Sequence, residues 1–248
     1  MPRYFIEVSY KGTSYAGFQS QQNANTIQDE IEKALLIYFK ATFDLTGSSR
    51  TDAGVHALQN YFHFDFEFPA IPDWDKIAYH LNAILPADIV VKNIFEVKKD
   101  THCRFDAKYR TYEYTLYMNK DPFLSDRAYF YPYKLNLELL KQAAIILKDV
   151  KDFESFTKRN TQVSTYNCTI LESEWIKGND TIYYRVSANR FLRGMVRGLV
   201  GTMLQVGRER TSLDKFKQII ESHDQALVDF SVPPQGLQLM HVAYEEVK

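Results

Sequence analysis

The sequence predicts an α+β fold, a mixed and mostly antiparallel sheet with flanking helices, and two observations carry that expectation. Segments with strand composition and segments with helical periodicity are interspersed through all 248 residues. No low-complexity linker or short repeat separates them, so both kinds of element must build common cores. An apolar content of 45% against 25% charged residues is that of an ordinary globular protein.

The elements follow in order. Tyr4-Phe5-Ile6-Glu7-Val8-Ser9-Tyr10 is rich in aromatic and β-branched residues and ends at the turn signal Lys11-Gly12-Thr13, which predicts a strand. Ile27, Ile31, Leu35 and Phe39 recur every four residues, the spacing of one helix face, and Asn25 or Thr26 can cap the start. Residues 61–66 predict a strand, which Pro69 and Pro72 break before a helix over 74–85. Residues 89–91 and 110–117 predict further strands, the latter with Tyr112 and Tyr114 on one face and Thr111 and Glu113 on the other. Beyond them the patterns predict a helix over 135–148, strands over 170–176 and 181–188, helices over 191–206 and 213–222, and a last strand over 237–246. A boundary near residue 105 gives an N-terminal half, 1–105, and a C-terminal half, 106–248, sharing a cleft.

A net charge of −1 supplies no bulk attraction for a polyanion, so any such contact must come from local clustering. Cys103 and Cys168 are too few and too far apart for a disulfide scaffold and lack the paired spacing of a structural zinc site. A reducing, cytoplasmic setting is expected. The start, Met1-Pro2-Arg3-Tyr4-Phe5-Ile6, lacks the apolar core of a signal peptide, and no apolar run approaches membrane-spanning length.

Chemistry is sought first in Gly47-Ser48-Ser49-Arg50-Thr51-Asp52-Ala53-Gly54-Val55-His56-Ala57, between a helix-patterned and a strand-patterned stretch. Arg50 can keep a nearby carboxylate ionised and oriented, and Gly54 permits a turn that a larger residue would resist. Taken alone, an aspartate in such a turn is more often a turn former than a catalyst. Ser48, Ser49 and His56 lack the Gly-x-Ser-x-Gly elbow of a hydrolase, and His56 and His63 lack a third ligand, so neither a serine hydrolase nor a metal site is expected.

Arginine is more informative, because Arg185, Arg190, Arg193, Arg197, Arg208 and Arg210 concentrate in one stretch of a near-neutral chain. Arg190, Arg193 and Arg197 lie three and four apart, and on a helix they would share a face near its N-terminal end, where the dipole favours anions. A solvated helix face reads the same way. Arg104, Lys108 and Arg110 are interleaved with Phe105, Tyr109, Tyr112 and Tyr114, a mixture that can grip phosphates and stack on exposed bases. Alternating aromatics are also ordinary strand core.

Arg50-Thr51-Asp52-Ala53-Gly54-Val55-His56-Ala57 resembles the catalytic motif of the TruA family of tRNA pseudouridine synthases. The resemblance runs the length of the chain. Tyr10-Lys11-Gly12-Thr13-Ser14-Tyr15-Ala16-Gly17-Phe18-Gln19 is similar to the family's opening segment, and Leu81-Asn82-Ala83-Ile84-Leu85-Pro86 to a second block. Arg110-Thr111-Tyr112-Glu113-Tyr114 resembles the block with the active-site tyrosine, Phe191-Leu192-Arg193-Gly194-Met195-Val196-Arg197 the Met-Val-Arg block, and Gly236-Leu237-Gln238-Leu239 the C-terminal block. The chain departs from the family's usual pattern at Ser49, at Phe18 and at Lys151-Asp152-Phe153, where glycine, tryptophan and His-Asp-Phe are common.

The resemblance implies two similar halves around a basic cleft, a homodimer, no cofactor, and tRNA as the partner, with uridines of the anticodon stem-loop isomerised. Another RNA site, or a non-catalytic RNA-binding protein on the same fold, are the competing readings. It further implies Asp52, Tyr112 and Arg197 as the catalytic set, with Asp52 acting either as a nucleophile or as a base at the ribose. Either Arg197 or Arg50 would pair with Asp52, the other contacting RNA. Tyr112 would pack on the uracil, and Leu239, with Leu237 as its alternative on the same strand face, would wall the pocket. Lys108, Arg110, Arg190 and Arg193 would contact the RNA backbone.

Overall fold

A computed structural model describes residues 1–158 and 163–245. The chain divides into two compact units, residues 1–108 with 239–248, and residues 109–238. Among the described residues, no helix is long and apolar enough to cross a membrane.

In the first unit β1 (Arg3–Tyr10) lies between β3 (His56–Asp65) and β4 (Ile89–Val97), antiparallel to both, and β2 (Thr46–Gly47) pairs with β3. The first helix, α1 (Ile27–Phe39), starts where Thr26 accepts a hydrogen bond from the Asp29 N–H and returns one to the Asp29 carboxylate at 2.6 Å. That cap satisfies an otherwise orphaned donor of the first turn. The second, α2 (Trp74–Ile84), is capped by Asp73 and buries Ile77 and Leu81, packing on β4. On one sheet face Tyr4 stacks on Phe64 and packs at a tilt against Trp74, whereas Phe5 on the other packs with Tyr61, Phe95 and Tyr244. Alternation in β1 is therefore not between core and solvent: both faces are covered.

The second unit contains β5 (Tyr109–Tyr117), β6 (Tyr129–Phe130), α3 (Leu137–Ile146), β7 (Ile170–Lys177), β8 (Thr181–Ala188), α4 (Met195–Gly207) and α5 (Leu213–Glu221). The strand β8 runs antiparallel between β5 and β7, and the parallel pairing of β6 with β5 makes the sheet mixed. Tyr114, Tyr184 and Trp175 alternate onto the buried face, where α3 and the apolar α4 cover them. The expected α+β class, a mixed and mostly antiparallel sheet with helices, is thus what the chain adopts. The last strand, β9 (Leu237–Ala243), lies beside β3 and enters the first unit at Leu239. It ends at Ala243, short of the expected end at Glu246, which itself lies outside the described residues.

The strand expected at 89–91 runs on to Val97, and two elements beside the candidate residues also differ from their sequence patterns. The strand expected at 61–66 begins at His56, directly after the Asp52 turn, because its first residues pair with β1. The helix expected over 191–206 begins at Met195, because Gly194 takes a left-handed φ of +76° and breaks the preceding segment away from the helix. Arg190 and Arg193 therefore sit in the loop before α4 and do not share a helix face with Arg197.

Burial and the nearby Arg3 guanidinium push the His63 imidazole down to about 4. Its folded-state value lies below its unfolded one, so the unfolded chain binds more protons between the two, and stability falls as pH drops through that window. Chemical unfolding of the protein should show a loss approaching about 2 kcal/mol at pH 5 relative to pH 7 from this one group. His63→Gln should flatten that slope; an unchanged pH slope in the variant would refute the assignment.

Candidate active site

The loop between β2 and β3 is built from close approaches and buried hydrogen bonds. Val55 N–H donates to the Asp52 carbonyl at 3.1 Å, closing a turn with Gly54 at φ +78°, a conformation that suits glycine at the third position. The loop is pressed against the segment after β1, where a Cβ on Gly12 would lie 2.0 Å from the Val55 carbonyl oxygen. Gly12 N–H instead donates to Nδ1 of the buried His56 at 3.0 Å. Phe18 N–H donates to the Thr51 carbonyl at 3.1 Å, and the Phe18 ring stacks on Phe62 at 4.3 Å. Ser48 Oγ donates to the Cys103 carbonyl, which also accepts from the Tyr244 hydroxyl.

Within this scaffold Ser48, Ser49, Thr51 and Val55 are buried, Arg50 is exposed and Asp52 is half-buried. Among the described residues of its own unit, no side chain bonds the Asp52 carboxylate. The loop thus holds its backbone tightly while presenting one carboxylate and one guanidinium outward. Leu239 in the same unit is fully buried, and Lys108 is exposed and ion-paired with Glu245 at 2.9 Å.

The second unit carries the remaining candidates. Tyr112 in β5 is half-buried, its ring in a T-shaped contact with Phe191, the ring centres 5.1 Å apart. Arg197, in the first turn of α4, donates from Nε and Nη2 to the Val232 carbonyl at 2.9 and 2.7 Å. The next carbonyl, of Pro233, accepts from the Tyr114 hydroxyl at 2.7 Å, so Arg197 and Tyr114 together fix the segment leading to the buried Leu237. Arg110 is nearly buried and donates to the Asn189 carbonyl at 3.3 Å, next to the half-buried Arg190, while Arg193 is exposed.

Half of the arginine cluster makes structural contacts. The Arg185 guanidinium binds Glu113 at 2.5 Å across β8 and β5, and Arg208 lies 3.9 Å over the Tyr133 ring. His63, His102 and Cys103 bring ligand-type atoms within 4.8 Å of one another, a grouping invisible in their spacing. These groups already bond internally: Cys103 N–H donates to His63 Nδ1 at 3.3 Å and its thiol to the Thr46 carbonyl at 3.1 Å. Burial pushes the other thiol, Cys168, up to about 11, which makes it a poor nucleophile.

Sequence reasoning missed the residues that support the Asp52 loop. Tyr10 and Asn60 bond to its neighbours from β1 and β3, and His56 receives Gly12 from beneath. One signal pointed to them: Asn60 shares strand parity with Phe62 and Phe64, so a polar amide lies on an otherwise aromatic face.

A family model described as tRNA pseudouridine synthase matches residues 6–106 and 143–245. A Parabacteroides distasonis protein named tRNA pseudouridine synthase A is 43% identical over 99% of this chain and 97% of its own length. Proteins of the same name from Bacteroides fragilis and Staphylococcus aureus are 41% and 37% identical, each over 98% of this chain and over 97% and 91% of their own lengths. With the Arg-Thr-Asp-Ala-Gly turn presented on a rigid loop and the match extending through both units, the chain belongs to the tRNA pseudouridine synthase family, whose enzymes are isomerases.

Proposed function

We propose that this protein isomerises uridines of the tRNA anticodon stem-loop to pseudouridine, with Asp52 as the reacting carboxylate. The observation that carries the reading is the Asp52 turn: a half-buried carboxylate on a backbone held between the buried, hydrogen-bonded Thr51 and Val55. The reaction breaks the C1′–N1 glycosidic bond, turns the uracil and joins C5 to C1′. C5 then loses its proton and N1 gains one. Nothing is oxidised or reduced, and the demand on the protein is placement. Asp52 acts as a nucleophile or as a base at the ribose.

Arg197, already fixed at one edge by Val232, is the better guanidinium to orient the Asp52 carboxylate, and the exposed Arg50 the better one to meet RNA. Tyr112, propped by Phe191, packs on the uracil and serves proton transfer at C5, with Leu239 or Leu237 as the apolar wall. The target base must leave its stack at a cost of roughly a few kcal/mol, least in a loop or at a stem end, which favours the anticodon arm. Arg190, Arg193 and Lys108 supply backbone contacts, and Arg110 acts by setting the Asn189 turn beside Arg190. A homodimer working in the cytoplasm completes the reading.

Purified Asp52→Asn incubated with unmodified tRNA should form no pseudouridine above background while still binding the RNA; appreciable turnover would reject the catalytic role. Mapping of pseudouridine in tRNA from cells lacking the protein should show losses confined to the anticodon arm. Losses elsewhere would move the substrate site, and unchanged tRNA would favour a non-catalytic binding role.

A further inference from the structure

We infer that Asn60 and Tyr10 are positioning residues for the Asp52 carboxylate, an inference that rests on Asp52 being the reacting group. Asn60 lies in β3 with no exposure to solvent, yet every hydrogen-bonding capacity of its amide is used. Its Oδ1 accepts from the Ser49 and Tyr61 N–H groups at 3.2 and 2.9 Å. Its Nδ2 donates to the Ser49 carbonyl at 2.8 Å and to the Tyr10 hydroxyl at 3.1 Å. A flipped amide would set donors against donors, so the pattern fixes its orientation.

The amide thus grips both backbone groups of Ser49, as a neighbouring strand would. Tyr10 extends the grip. Its hydroxyl lies 2.7 Å from Thr51 Oγ1, so a single buried chain runs from Asn60 through Tyr10 to the residue before Asp52. The register of β1 on β3 shifts between Val8 and Tyr10, an irregularity that redirects a side chain in the manner of a bulge. From the other side Phe18 N–H holds the Thr51 carbonyl. Residues 49 and 51 are therefore clamped, and Arg50 and Asp52 project from fixed points.

Packing alone does not ask for an amide here. Position 60 shares its face with the buried Phe62 and Phe64, and there the amide serves the backbone of Ser49 and the hydroxyl of Tyr10. A buried polar network fully satisfied in this way specifies one geometry. Displacing a reacting group by about 1 Å can cost about 100-fold in rate, so the network's value is in the chemical step and not in RNA affinity.

The test is single-turnover pseudouridine formation and KM for a tRNA transcript, measured with unfolding temperature for each variant. Tyr10→Phe keeps the ring against Phe18 and removes only the hydroxyl link. It should lower the rate about 10-fold with KM within about threefold and the unfolding temperature by only a few degrees, since Asn60 Nδ2 and Thr51 Oγ1 each lose one buried partner. Asn60→Leu should lower it further, about 100-fold, and the double variant should lose less than the product of the two, because both cut one chain. If Asn60→Leu does not fold, Tyr10→Phe combined with Thr51→Val tests the same coupling. A wild-type rate in folded Tyr10→Phe, a loss confined to KM, or multiplicative losses would overturn the inference. Should Asp52→Asn be inactive while Tyr10→Phe is unimpaired, only the positioning claim fails; an active Asp52→Asn would remove the proposed function beneath it.

Discussion

The loop between β2 and β3 depends on hydrogen bonds buried between β1 and β3, and the candidate chemistry depends on that loop. Asn60 and Tyr10 occupy positions that apolar strands would ordinarily fill, and they spend their polar groups on Ser49 and Thr51. Around them the fold removes freedom by contact. Gly12 lets the chain after β1 approach the Val55 carbonyl closer than any side chain would allow, and Phe18 is stacked on Phe62. A turn that in isolation would sample many conformations is thereby reduced to one, with its strain-free left-handed residue supplied by Gly54.

The second unit applies the same economy to its arginines. Half of a cluster that reads as a cationic surface is employed in tying strands and loops, Arg185 to Glu113, Arg208 to the Tyr133 ring and Arg197 to the Val232 carbonyl, and Arg110 outside it binds the Asn189 carbonyl. Guanidinium suits this work because its planar fork binds a carbonyl or carboxylate at two points, and where the partner is a neutral carbonyl its charge is not compensated. Arg197 shows how structure and chemistry coincide in one side chain. It anchors the segment before Leu237, and the proposed function assigns its remaining edge to the Asp52 carboxylate.

The elements most legible in the sequence were those with local causes. Thr26 capped α1 as its side chain and spacing require, and the strand over 181–188 ended where its alternation ended. What the sequence hid had long-range causes. The return of β9 to the first unit is a pairing with β3, distant in the chain, and nothing local announces it. The early start of β3 at His56 likewise comes from its partner β1. The Arg190, Arg193 and Arg197 spacing suggested a helix face, yet the backbone of Gly194 decided the matter. Asp52 itself was ambiguous as a single residue and became informative only beside distant motif blocks. Its support was harder to see, since Tyr10 and Asn60 meet only after two strands pair.

The central claim is that this enzyme works by holding one carboxylate in one place. Asp52→Glu tests it most directly, because it keeps the charge and the fold of the loop and moves the carboxylate outward by one methylene. The single-turnover rate of pseudouridine formation should fall at least about 100-fold while tRNA binding is retained. A rate near that of the unaltered protein would contradict the account.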